Sequence, residues 1–179
     1  MIEFEGIYKQ AINELEQLFD GLKIDELQRV VNLICSGDFD NIVGFGAGRM
    51  GFSLRAFIMR LSHIGFQAYM IGDTNFPKIG VRTLAIVNSS SGETPTSILY
   101  AEQAQREGAS IIGITQNIES TLGRLSNQII QYPLISSEQI MKTLPEQFTF
   151  ILFDVLAEAI IKNSGESRAF ITNNHSISE

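Results

Sequence analysis

Two short loops carry the residues with the most evident chemical use. The first, Ser89-Ser90-Ser91-Gly92-Glu93-Thr94, follows an apolar run and precedes Pro95, a residue suited to the first position of a helix. Three consecutive hydroxyls, a glycine and a threonine in that setting bring O–H donors and free backbone N–H groups to one point. The helix dipole favours negative charge at the same place. Such a loop suits a single phosphate; a serine-rich N-cap loop, with Thr94 as the cap, is the ligand-free use of the same residues. The second loop, Gly46-Ala47-Gly48-Arg49-Met50-Gly51, matches G-x-G-x-x-G between a strand and a helix. Read as a dinucleotide fingerprint, it would take Asp73 as its ribose-binding acid. Little chain remains for the substrate domain a nicotinamide enzyme needs, and that reading leaves the serine loop unexplained. The plainer alternative is that the glycines permit a tight strand-to-helix turn.

The elements that must hold these loops follow from periodicity. Residues 4–36 read as two helices, with Ile7, Ala11, Leu15, Leu18 and Leu22 on one apolar face and Leu27, Val30, Val31 and Ile34 on another. Short strands are expected at 41–45, 67–70, 83–87, 110–114 and 128–131. Helices are expected at about 49–64, from Pro95 to about 107, at 120–126 and from Leu144 to Lys162. Gly65 fits a helix C-cap. The last helix places Phe148, Ile151, Leu152, Val155, Leu156 and Ala159 on its apolar face, and a polar tail begins at Asn163. Strands alternating with helices predict a parallel sheet covered on both faces, with ligands at the carboxyl ends of the strands. The two loops fall there. With no linker or repeat in view, residues 1–179 read as one domain, with 1–36 a helical extension and 163–179 a tail.

Composition narrows the function classes. At 44% hydrophobic and 18% charged, the 179 residues form a folded chain, not a disordered one. No apolar stretch is long enough to span a bilayer, and the first residues lack the basic-then-apolar pattern of a secretory signal. Cys35 is the only cysteine, so no intrachain disulfide is expected and the cytoplasm is the expected location. A net charge of −7 without any basic run argues against a nucleic-acid partner, but not against a small anion held by backbone and hydroxyl donors. Two distant histidines and one cysteine give no metal cluster.

Taken together, the two loops resemble those of the sugar isomerase (SIS) domain family. GAGRMG, Arg55-Ala56-Phe57, Met59-Arg60-Leu61, His63, Gly65-Phe66, SSSGET and the stretch Thr115–Leu122 are similar to the bacterial and archaeal 6-phospho-3-hexuloisomerases. The resemblance covers nearly the whole chain. It implies a flavodoxin-like three-layer sandwich around a five-stranded parallel sheet. It also implies a homo-oligomer (dimer or tetramer) and interconversion of 3-hexulose 6-phosphate and fructose 6-phosphate without metal or organic cofactor. By resemblance, Ser89, Ser90, Ser91 and Thr94 hold phosphate. Gly46, Gly48 and Arg49 form the glycine loop, Arg55 is a basic contact, Glu146 is the acid opening the last helix, and His175 is the C-terminal histidine. The chain departs from the family pattern at Met50 (usually serine), at Ile140-Met141-Lys142 (usually a proline-glycine turn) and around His175.

Moving a carbonyl between adjacent sugar carbons passes through a cis-enediol. It needs one base to carry a proton between carbons and a second group to shuttle protons between oxygens. Glu146 is the expected base, although Thr143-Leu144-Pro145-Glu146 also reads as a capping box. His175 suits the oxygen shuttle, supplied by a neighbouring subunit if the resemblance holds, and is otherwise a solvated tail residue. His63 is expected to pack at an interface, and Glu93 to turn its charge away from the phosphate loop. A non-catalytic phosphosugar sensor, or an isomerase of another sugar phosphate, is the alternative function.

Overall fold

The computed structural model describes residues 2–165; His175 and the tail around it lie outside them. Helices α1 (Phe4–Asp20) and α2 (Ile24–Ile34) lead into an alternation of β1 (Asn41–Gly46), α3 (Gly48–Ile64), β2 (Ala68–Met70), β3 (Thr83–Asn88), α4 (Pro95–Arg106), β4 (Ser110–Thr115), α5 (Thr121–Leu125), β5 (Gln128–Gln131) and α6 (Thr143–Ser164). All five strands are parallel, in the order β2-β1-β3-β4-β5. This is the α/β parallel sheet that the alternation predicts, in the flavodoxin-like arrangement that the family resemblance implies.

Period-two alternation divides the sheet's side chains between two cores. Ile42, Leu84, Ile86, Ile112 and Ile114 face α1, α2, α3 and α6. Val43, Phe45, Ala85, Val87 and Ile111 face α4 and α5. β3, the central strand, is buried at every position, as a strand covered on both faces must be. The two leading helices belong to the first core through Leu18, Val30, Val31 and Ile34. Each such aliphatic side chain contributes about 1.5–3 kcal/mol by leaving water.

Helical spacing overstates how much of the outer helices is covered. Ile7 is 61% exposed, and Ile151 and Val155 are also exposed. Only the later turns of α1 reach the core, and α6 is apolar over an arc wider than its neighbours cover. No helix among the described residues is long and apolar enough to cross a membrane.

The leading helices also tether the chain between β5 and α6. The Glu26 carboxylate accepts the Gln131 N–H at 2.9 Å. Glu14, 5% exposed, accepts hydrogen bonds from Ser137, the Glu138 amide, the Gln139 side chain and Gln10. Burial alone would raise the Glu14 carboxyl, but these four donors win and hold it at about 2, against an ordinary 4.5. A carboxyl depressed in the folded state stabilises the fold above its unfolded value, and that contribution fades as pH falls from about 4.5 towards 2. Glu14→Gln, which leaves donors unpaired, is expected to cost about 1–3 kcal/mol at pH 7 and to flatten the acid limb of stability. Urea unfolding at pH 7 and pH 3 checks this; equal pH dependence in variant and native protein would rule it out.

Candidate active site

Each strand-to-helix connection delivers its residues to the carboxyl edge of the sheet. In the register of β1 with β3, Gly46 lies beside Asn88, so both loops start from adjacent points. β1 ends against α3 with no room between them: a Cβ on Gly51 would sit 2.4 Å from the Gly46 carbonyl oxygen. Gly48 opens α3 with φ of 53°, a conformation natural to glycine. The turn-permitting reading of these glycines therefore holds, and it is what sets Arg49 at the sheet edge.

A cavity of about 300 Å³ lies where the loops meet. Gly48, Arg49 and Met50 line it from the first turn of α3, Ser90, Ser91 and Thr94 from the serine loop, and Lys142 and Glu146 from the start of α6. Three helix N-termini therefore open onto one space, and none of the three has a side-chain cap bond. Thr94 occupies the N-cap position of α4, but its hydroxyl lies 3.0 Å from the Ser89 hydroxyl instead of capping. The first turns of α3 and α4 carry no side-chain acceptor, which suits an anion, whereas in α6 the Thr143 and Glu146 N–H groups are already bonded to the Ile140 and Lys142 carbonyls.

The serine loop is held rigidly. Ser90 donates to Gln116 Oε1 at 2.6 Å, Gln116 donates on to the Pro133 carbonyl, and Thr115 donates to the Ser90 carbonyl. Burial pushes the neighbouring Tyr132 phenol up, with the Ser90 side chain opposing that shift. Glu93 turns away from the cavity: its carboxylate accepts the Thr121 N–H at 2.7 Å, and that bond holds its carboxyl below the usual range.

Glu146 does not form a capping box. α6 begins at Thr143 with Lys142 as N-cap, and the Glu146 carboxylate crosses to Arg49, Nε to Oε2 2.6 Å. Thr143 turns its hydroxyl to the Ile140 carbonyl. Gly46 ends β1 behind the cavity, Ser89 is buried beneath the loop, and neither lines the space. Arg55 lies apart from it. Its guanidinium pairs with Asp73 at 2.8 Å beside β2, because its position on α3 faces the sheet edge, not the loops. Burial alone would raise the Asp73 carboxyl, but Arg55 and the Met70 amide hold it down. That occupies the acid a dinucleotide ribose would need. His63 is buried near the end of α3, away from the cavity.

Sequence reasoning missed the support beneath these groups. Asn88, fully buried at the end of β3, donates to the Met50 carbonyl and to Ser53 Oγ. The hydroxyls of Ser53 and Thr149 lie 2.9 Å apart, and Thr149 donates to the Glu146 carbonyl. Ser53 stands one turn beyond Arg49, and Thr149 one turn beyond Glu146. A polar residue at an otherwise apolar helical position was the available signal. Lys142, read from the sequence only as part of a departure from the family pattern in the turn before α6, lines the cavity as well.

The family model for the SIS domain matches residues 39–159, a span that holds every residue lining the cavity. The chain belongs to the SIS domain family. A 3-hexulose-6-phosphate isomerase of Bacillus subtilis is 28% identical over 165 residues, covering 87% of this chain and 88% of that protein. An uncharacterized protein of Aeropyrum pernix is 35% identical over 123 residues, 69% of this chain but only 56% of the relative. Among solved structures, a hypothetical protein from Methanococcus jannaschii superimposes with a TM-score of 0.85 at 26% identity, covering 96% of this chain and 98% of that one. Its crystal structure infers a molecular function of 3-hexulose-6-phosphate isomerase.

The close approach of Gly46 and Gly51 makes this SIS site intolerant of a single methyl. Gly51→Ala is expected to cost about 1–3 kcal/mol through backbone overpacking and to displace the first turn of α3. Chemical denaturation measures it; a loss of a few tenths would show that the turn relaxes freely.

Proposed function

We propose that the chain is a phosphosugar isomerase that interconverts 3-hexulose 6-phosphate and fructose 6-phosphate. The observation that carries this reading is one cavity where the starts of three helices without side-chain caps, serine and threonine hydroxyls and one carboxylate meet. The similarity to 3-hexulose-6-phosphate isomerases, which extends along most of the chain, supports the choice of sugar.

In this reading Ser90, Ser91, Thr94 and the α4 N-terminus hold the phosphate, Ser89 orients Thr94, and Gly46 and Gly48 shape the wall. Glu146 takes the proton from C2 of the 3-ketose while the C3 carbonyl oxygen gains one, giving the cis-enediol. The C2 hydroxyl then loses its proton, and Glu146 returns the carbon-bound proton to C3, leaving the C2 ketone. Arg49 orients the Glu146 carboxylate and lies beside the oxygens that change charge. His175, outside the described residues, would carry the oxygen protons, and Arg55 would approach substrate only by leaving Asp73. No metal or organic cofactor enters the scheme. The protein works as a homo-oligomer in this reading, with the exposed apolar residues Phe52, Phe150 and Ile151 beside the cavity as the covered face.

A sensor reading has one observation in its favour: Arg49 already occupies one carboxylate oxygen of Glu146. A coupled assay with 3-hexulose 6-phosphate, following fructose 6-phosphate, tests the two together. Glu146→Gln is expected to lower kcat by at least about 10³-fold, within the range of a lost catalytic base, while phosphosugar affinity changes little. Native protein that binds fructose 6-phosphate without turnover would establish the sensor instead.

A further inference from the structure

We propose that Lys142 is a substrate-binding residue that contacts the phosphate of the bound sugar held by the serine loop. The proposal rests on the phosphosugar reading and adds a residue to it. Three charged side chains line the cavity: Arg49, Lys142 and Glu146. Arg49 and Glu146 neutralise each other at 2.6 Å. Among the described residues no ion pair to Lys142 is found, so it leaves the cavity with one full uncompensated positive charge.

The local structure at Lys142 works against stability. Lys142 is the N-cap of α6, where short oxygen-bearing side chains are favoured and a cation meets the positive end of the helix dipole. The residue before it, Met141, has φ of 55°, a left-handed conformation costly for any side chain but glycine, and is 95% exposed. Neither residue gains burial in return. Two broken local rules in consecutive residues mark a turn shaped by what it binds. The Ile140 carbonyl accepts both the N–H and the hydroxyl of Thr143, which closes that turn and sets Lys142 on the cavity rim.

A phosphate dianion accounts for the arrangement. Hydroxyls and helix N-termini supply partial charges, and Lys142 supplies a full charge on the same cavity. It stands one turn before Glu146, so it also offsets the repulsion a dianion would exert on that carboxylate. An ammonium on a flexible stem suits a point contact with a charged oxygen.

The test is equilibrium binding of fructose 6-phosphate and of inorganic phosphate to the full chain and three variants. Lys142→Met is expected to weaken both ligands about 10- to 100-fold, the range of a charge-assisted hydrogen bond. Lys142→Arg should retain most of the affinity. Lys9→Met, which removes the same charge from the exposed face of α1, should bind like the native protein. Weakening of fructose 6-phosphate alone would place Lys142 on the sugar and overturn the proposal, as would equal binding by Lys142→Met and native protein. Weakening by Lys9→Met as large as by Lys142→Met would reduce the effect to net charge and overturn it too. Native protein that binds neither ligand would overturn the phosphosugar reading and this proposal together.

Discussion

The arrangement of this site depends on one topological constraint, the reversal of direction between β1 and β3. From β1 the chain crosses to β2 on one side, and from β3 it crosses to β4 on the other. Both crossovers must be right-handed, so α3 and α4 are sent to opposite faces of the sheet. Their N-termini start from adjacent strand ends and diverge, which opens a gap that no side chain of the sheet fills. The glycine loop forms one wall of the gap and the serine loop the other. α6 lies back across α3, so its first turn closes the third side.

That geometry concentrates positive potential in a protein whose net charge is −7. Each helix N-terminus behaves as about half a positive charge, and three of them open onto the same cavity as Arg49 and Lys142. Repulsion between these ends is a standing cost, offset in part by the Arg49–Glu146 pair. The surrounding bonds keep the loops from relaxing away from one another. Ser90 is tied to Gln116, Ser89 to Thr94, and Asn88 to the start of α3. An anion entering the cavity meets donors already in place, so little ordering entropy remains to oppose binding.

What could be read from the sequence was whatever is local. The strands, the helices and the alternation that joins them follow from periodicity, and both loops announce themselves within six residues. What could not be read depends on contacts between distant segments. Glu146 has the spacing of a capping box, and only the position of Arg49, on another helix, draws its carboxylate away. Thr94 reads as a cap, but Ser89 takes its hydroxyl. Ser53 and Thr149 are 96 positions apart, and nothing local to either points to the other. Ile7, Ile151 and Val155 fit apolar faces, yet a helical pattern does not reveal where the neighbouring helix stops.

Two spaces share the Arg49–Glu146 pair, so the electrostatics of the polar cavity are tied to the protein's apolar face. On one side lies the small polar cavity; on the other, a groove of about 710 Å³ lined by Leu15, Phe52, Phe150 and Ile151. The Arg49 side chain is 62% exposed, and its attraction for Glu146 is screened by water. Covering the groove with another apolar surface would lower the local dielectric around both residues without moving either. Glu146 would then interact more strongly with Arg49, with Lys142 and with any anion in the cavity. Arg49 and Glu146 thus sit at the boundary between the polar cavity and an exposed apolar surface.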